Sequence, residues 1–231
     1  MNRNGKTIQS LERSFIILET LSLAEAPLPL QAIAKSVDLP KTTVHGLLST
    51  LVNLGYVERK GQAYVLGLRL RELSKPLEQK DESIRHHFFP LLQRMAQFSN
   101  STAYLAIQSG TNEYIYVDAI ENDNSLSIRS PRGRRESLID SAIGKIFVAF
   151  NPLLRKNLRV QCAFSSSLDR ELDQIIKQGF ALDLGHAEPE LNCLALPLYI
   201  NGELVAAAGL SGNEEDLSED KLRHFARVFL K

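Results

Sequence analysis

Between Leu30 and Leu66 the sequence is punctuated so closely that few local structures satisfy it. Val44, Leu47, Leu48, Leu51 and Leu54 recur at the three-and-four spacing that gathers apolar side chains on one helical face. Pro40 suits the first turn of that helix, where a missing N–H costs nothing, and Gly55 suits its stop because glycine accepts positive φ. Leu30 to Val37 reads as a shorter amphipathic helix, and Asp38-Leu39-Pro40 leaves only a tight turn between the two. Beyond Gly55, residues 56–66 alternate on both sides of Gly61, as a two-stranded hairpin does. Helix, turn, helix and hairpin in that order predict a winged helix-turn-helix.

The polar face of the second helix carries Lys41, Thr42, His45 and Ser49, of which Thr42, His45 and Ser49 stand at i, i+3 and i+7, and these four with Thr43 are the expected groove contacts. Small polar side chains opposite an anchoring apolar stripe are what major-groove readout needs. The hairpin tip Arg59-Lys60-Gly61-Gln62 places two cations where they can reach phosphate oxygens, which supplies affinity and register without sequence information. Double-stranded DNA is the expected partner. A solvated hairpin in a protein-interaction module is the competing reading.

A net charge of zero would by itself argue against a nucleic-acid protein, but the charge is unevenly placed. Residues 1–75 hold ten Lys and Arg against six Asp and Glu, net +4, and residues 76–231 are net −4. The basic half is the one with the helix-turn-helix. Two cysteines, Cys162 and Cys193, make no disulfide framework, and no apolar run reaches the ~20 residues of a membrane span. The polar start Met1 to Lys6 lacks a signal-type apolar core, so a cytoplasmic protein is expected.

Around this motif, Ser10 to Ala24 reads as a supporting helix, and Leu66 onward as a connecting helix interrupted near Pro76, where the domain boundary is placed. The expected domains are residues 1–80, with the linker helix, and residues 81–231. In the second, a helix over Ser83 to Ser99 leads into strands over Thr102 to Gln108 and Glu113 to Ile120, with Leu126 to Ile128 as a further short strand. Helices follow over Ser141 to Phe150 and Leu168 to Gln178. Cys193 to Ile200 and Leu204 to Leu210 pair around Asn201-Gly202, and Leu217 to Leu230 closes the chain as a helix capped by Ser218. The class is α+β.

These phrases resemble the IclR-type bacterial transcriptional regulators over nearly the whole chain. The resemblance rests on Gln9 to Ser14, Leu39 to His45, Leu54 to Val57, Tyr64 to Leu70, Ala142 to Lys145, Gly179 to Asp183, Cys193 to Pro197 and Ala206 to Gly212, in order. It implies a winged helix-turn-helix, a linker helix that dimerises, and a C-terminal GAF-like mixed α/β domain that binds a small metabolite. It further implies homodimers, or dimers of dimers as homotetramers, on palindromic operators, with no cofactor.

By the same resemblance, Ser141, Ala142 and Ile143 offer a helix N-terminus to the effector, and Asp183, Cys193 and Ser211 line the pocket, with Leu126 and Ile128 as its apolar wall. The bland reading is that Ser141 and Gly144 only shape a helix start and Cys193 is a small buried hydrophobe. The chain departs from the family pattern at Gly46, where Arg is common, at Ser137 to Asp140, at His186 and Glu190, and at Gly209, where serine is common. Asp140 and Glu190 are expected to add negative charge beside the pocket, which disfavours a simple carboxylate ligand. The expected effector is therefore a polyol, a sugar derivative or a partly cationic molecule.

Other constellations weigh less. His86 and His87 sit on adjacent helical positions and cannot face one metal, and Asp183, His186, Glu188, Glu190 and Cys193 offer ligand types around a loop with Pro189. No metal site is expected. Arg132-Gly133-Arg134-Arg135 reads as a solvated basic turn or a charge contact between subunits. No phosphate-binding glycine loop, nucleophile elbow or spaced His/Glu zinc motif is present, so no catalytic residues are expected. An enzyme-like sensor, or a binding module without a ligand, is the alternative.

Overall fold

The computed structural model describes residues 8–121, 132–161 and 164–230. Its contacts divide into two units, residues 1–79 and 80–231. In the first, α1 (Gln9–Ser22), α2 (Leu30–Ser36) and α3 (Lys41–Asn53) enclose one small core. A two-residue strand, β1 (Leu28–Pro29), joins the hairpin β2 (Val57–Lys60) and β3 (Ala63–Leu66) in the order β1-β3-β2. Ile17, Ile33, Val44 and Leu48 are fully buried in that core. The apolar stripe of α3 ends at Leu51, because Leu54 is 53% exposed at the C-cap. Pro40 sits at the N-cap, one residue outside α3, and Gly55 adopts φ +80 as the helix stops.

Gly67 fixes how the wing closes. A Cβ there would lie 2.2 Å from the Gly55 carbonyl oxygen, so only glycine lets the chain after β3 pass so close to the end of α3. The Gly67 N–H then bonds the Tyr56 carbonyl at 2.8 Å.

The expected break at Pro76 does not occur. A single helix, α4 (Arg69–Ser99), runs through it. Proline removes one N–H donor and crowds one carbonyl, and the flanks Arg69 to Leu73 and Leu77 to Glu82, rich in Leu, Glu, Lys and Gln, favour the helix enough to absorb that loss.

The second unit is built on a six-stranded antiparallel sheet ordered β6-β5-β4-β9-β8-β7. The strands are β4 (Thr102–Ser109), β5 (Glu113–Ile120), β6 (Arg135–Ser137), β7 (Ala181–Leu184), β8 (Leu191–Ile200) and β9 (Glu203–Asn213). Alternation along β8 and β9 covers both faces. Leu194, Leu196, Leu198, Ala206, Ala208 and Leu210 pack under Phe88, Leu92 and Met95 of α4 and under Leu222 and Phe225 of α8 (Glu219–Phe229). Ala195 and Ala207 face α5 (Ala142–Phe150), α6 (Pro152–Gln161) and α7 (Ser166–Gln178). Asn201 and Gly202 both take positive φ in the β8–β9 turn, as its sequence requires.

Four elements escaped the sequence reading: the short strand β1, α6, and the edge strands β6 and β7. Ser218 does occupy the N-cap of α8, but its hydroxyl makes no capping bond. The strand expected over Leu126 to Ile128 lies outside the described residues.

Candidate functional site

On α3 the side chains of Lys41, Thr42, His45 and Ser49 are exposed together, while Thr43 is half-buried on the flank of the same face. Val44 and Leu48 anchor the opposite face. Gly46 lies among the exposed residues with no atom within 4 Å of where its Cβ would be. The Thr50 hydroxyl donates to the Gly46 carbonyl at 3.1 Å, a bond back to the preceding turn. At the wing, Arg59 Nε donates to the Gly61 carbonyl at 2.9 Å, which stiffens the tip, and Lys60 is exposed beside it.

In the second unit, Ser141, Ala142, Ile143, Asp183, Cys193 and Ser211 line one cavity of about 130 Å³. That is roughly the space that holds a single six-membered ring. Leu126 and Ile128 lie outside the described residues. The helix start is built by close approach: a Cβ on Gly144 would lie 2.5 Å from the Leu138 carbonyl oxygen, so α5 can begin against that turn only with glycine. Ser141 caps it, accepting from Gly144 N at 3.1 Å.

Tyr104, Tyr114, Tyr116 and Glu136 also line the cavity, and sequence reasoning missed all four. Tyr114 and Tyr116 alternate on β5 and so share a face, and the β4–β5 register brings the Tyr104 ring to 5.4 Å from that of Tyr116. Glu136 arrives from β6, whose pairing with β5 sets Glu136 opposite Tyr114. Its Oε2 accepts from Tyr114 at 2.5 Å and from Tyr116 at 3.0 Å, and the Tyr114 hydroxyl also meets Ser141 Oγ at 2.9 Å. Burial pushes the Tyr104 phenol up to about 12. Burial first, and then the adjacent Glu136 carboxylate, raise Tyr114 further; Tyr116 is raised by burial, by its Tyr114 neighbour and by Glu136. All three are neutral near pH 7.

The charge expected beside the cavity comes from other residues than those anticipated. Asp140 lines a separate hollow with Lys145, Glu171 and Arg223. Glu190 is absent from the cavity wall and turns the chain at φ +72. The acids that do line the cavity are Glu136, Asp183, Glu188 and Asp216. Asp183 is 2% exposed and accepts from the backbone N–H of His186 and of Ala187, both at 3.0 Å, so it anchors the loop between β7 and β8. Cys193 donates to Ser211 Oγ at 3.4 Å, and burial raises its thiol to about 11. Among the described residues, no group of three or more His, Cys, Asp and Glu side chains is arranged to hold a metal ion, and no helix is long and apolar enough to cross a membrane.

A winged helix-turn-helix joined to an α+β unit with a small cavity defines a DNA-binding regulator of the ligand-sensing class. Residues 10–61 match the IclR helix-turn-helix domain, and residues 79–231 match the bacterial transcriptional regulator IclR C-terminal domain. The chain belongs to the IclR family of bacterial transcriptional regulators. It is 26% identical over 242 residues to the HTH-type transcriptional regulator KdgR of Escherichia coli, spanning 99% of this chain and 91% of that one. It is 29% identical over 232 residues to XynR of the same organism, spanning 94% and 91%. Among solved structures, an IclR homolog from Microbacterium hydrocarbonoxydans complexed with 4-hydroxybenzoate superposes with a TM-score of 0.72 at 21% identity, covering 96% of this chain and 97% of that one.

Proposed function

We propose that this regulator binds a palindromic operator as a homodimer or a dimer of dimers, and answers a small hydroxyl-bearing effector held in the tyrosine-lined cavity. The direction of the hydrogen bonds carries the effector's class. Tyr114 and Tyr116 both donate to Glu136, so that wall offers the cavity oxygen lone pairs and no protons. Beside it, where Ser141 meets the Tyr114 hydroxyl, the Ala142 and Ile143 N–H groups open α5, and no helical acceptor exists for them. An effector matches both walls when it donates at one end and accepts at the other, as a polyol or sugar derivative does. A partly cationic molecule also suits the acceptor wall, and no Lys, Arg or His among the described residues lines the cavity to favour an anion.

A second reading has an observation behind it as well. The two N–H groups at the start of α5 suit a carboxylate, so a hydroxylated monocarboxylate would also satisfy both walls; the solved relative's 4-hydroxybenzoate has that polarity. A thermal-shift screen separates these readings. Stabilisation by polyols, sugars or amines is expected, and stabilisation by small dicarboxylates alone would sink the proposal. The cavity itself favours a ligand-responsive protein over a binding module without one.

Lys41, Thr42, Thr43, His45 and Ser49 would enter the major groove, with Arg59 and Lys60 on phosphates. Exposed apolar pairs one helical turn apart, Leu11 with Phe15 on α1 and Leu73 with Leu77 on α4, support dimerisation through the first unit. The effector acts by preferring one arrangement of the two subunits, and it can shift operator affinity only by its differential affinity for the two arrangements. No catalytic role is assigned, and the place of action is the bacterial cytoplasm, where the operator is.

A further inference from the structure

The basic turn at residues 132–135 is exposed to solvent, as its sequence suggests, and each of its arginines also faces an acid. Arg132 bonds Asp118, Arg135 lies 3.6 Å from Glu113, and Arg134 reaches two acids at once. Its Nη2 stands 3.2 Å from Glu136 Oε1 and 3.8 Å from Glu188 Oε1. Those acids line the cavity from different elements, Glu136 from β6 and Glu188 from the loop between β7 and β8. The Arg134 backbone is tied to β5 by a bond from Tyr116 N to its carbonyl at 3.1 Å. The loop is held on its inner side by Asp183.

We propose that Arg134 is a specificity-determining residue of this cavity, which sets the charge of the molecules it admits by clasping Glu136 and Glu188 across it. With Arg134 in place, one guanidinium offsets two carboxylates, and Glu136 is free to act as acceptor for the two tyrosines. Without it, two uncompensated acids face the ligand, and cations are admitted over anions. A unit charge at close range, partly screened by water, changes the occupancy of a charged ligand by about tenfold. The inference rests on reading the cavity as the effector site.

Cys193 lines the same cavity and reports on access to it. In full-length protein carrying Cys162→Ser, the labelling rate of Cys193 is measured with 2-aminoethyl, 2-sulfonatoethyl and methyl methanethiosulfonate, each rate divided by that of a free thiol. The thiolate attacks the reagent's sulfenyl sulfur, forms a disulfide and releases methanesulfinate. All rates are taken at one fixed pH, because burial keeps most of the thiol protonated.

Arg134→Gln is expected to raise the ratio of cationic to anionic labelling about tenfold, Arg134→Lys to hold it near the native value, and Glu188→Gln to lower it. Unchanged ratios in Arg134→Gln and Glu188→Gln would overturn the proposal. So would an equal acceleration of all three reagents in Arg134→Gln, which would mean a merely structural contact, and so would absence of Cys193 labelling in every form. Glu188→Gln changes only a half-exposed loop side chain, so it stands as a test even if the Arg134 variants fold poorly. Labelling reads the cavity without any effector, so its failure and the failure of the effector screen are separate results.

Discussion

Cδ1 of Ile143 fills the place where a side chain on residue 209 would begin: a Cβ built on Gly209 would stand 2.6 Å from it. In this chain the Ile143 side chain thus occupies space on β9 that a side chain at 209 would otherwise take. Gly209→Ala should force Ile143 off its rotamer and cost about 1–3 kcal/mol in urea unfolding. Ile143→Val removes the clashing atom, so the double variant should recover part of the loss. Strict additivity of the two single changes would show that the pair is not coupled.

Gly46 gives the opposite result. It lies mid-helix, exposed, with open space where a Cβ would be. Gly46→Ala should therefore stabilise the protein by about 0.5–1 kcal/mol, through the unfolded chain's lost freedom and the helix preference of alanine. A raised urea midpoint with an unchanged m-value checks this, and a lowered midpoint would contradict it.

The two halves of the chain were unequally legible. The helix-turn-helix could be read from local signals, since Pro40, Gly55 and the leucine spacing act over one or two turns. Pro76 misled because a local rule was applied where a long helix with favourable flanks could absorb one lost bond. The cavity residues Ser141, Ala142, Ile143, Asp183, Cys193 and Ser211 came from resemblance, and they do converge. Tyr104, Tyr114, Tyr116 and Glu136 were missed because only strand register, with β6 at the sheet edge, brings them together. Asp140 was misplaced for a related reason: the turn before α5 directs it to another hollow.

Alkaline pH should weaken this fold through its tyrosines. Tyr104 is raised to about 12 from an ordinary value of 10.0, and Tyr114 and Tyr116 are raised more strongly. The folded state thus holds phenolic protons that the unfolded chain gives up sooner. The stability they contribute is complete below pH 10 and is lost as pH climbs through the folded values, with that of Tyr104 gone beyond about 12. Phenolate absorbance should show part of the six tyrosines ionising late and together with unfolding. Ionisation of all six in one step near pH 10, without unfolding, would contradict this.

On DNA, removing Arg59 and Lys60 together should weaken binding to every sequence about equally and reduce the salt slope by ~2. His45→Ala should instead change which sequences are preferred, by about 1–3 kcal/mol at the contacted base pair. Equal loss on all sequences after His45→Ala would remove it from the readout.

The most direct test of the whole account is the ratio of affinities for a selected genomic fragment and for random DNA, at near-physiological salt. Full-length protein is first used to enrich fragments, and the ratio is then measured with and without the hydroxylated compound that gives the largest thermal shift. A palindromic site preferred by ~10³ or more, with its affinity moved by the compound, is the expected result. A flat ratio with steep salt dependence, unmoved by any compound, would contradict it.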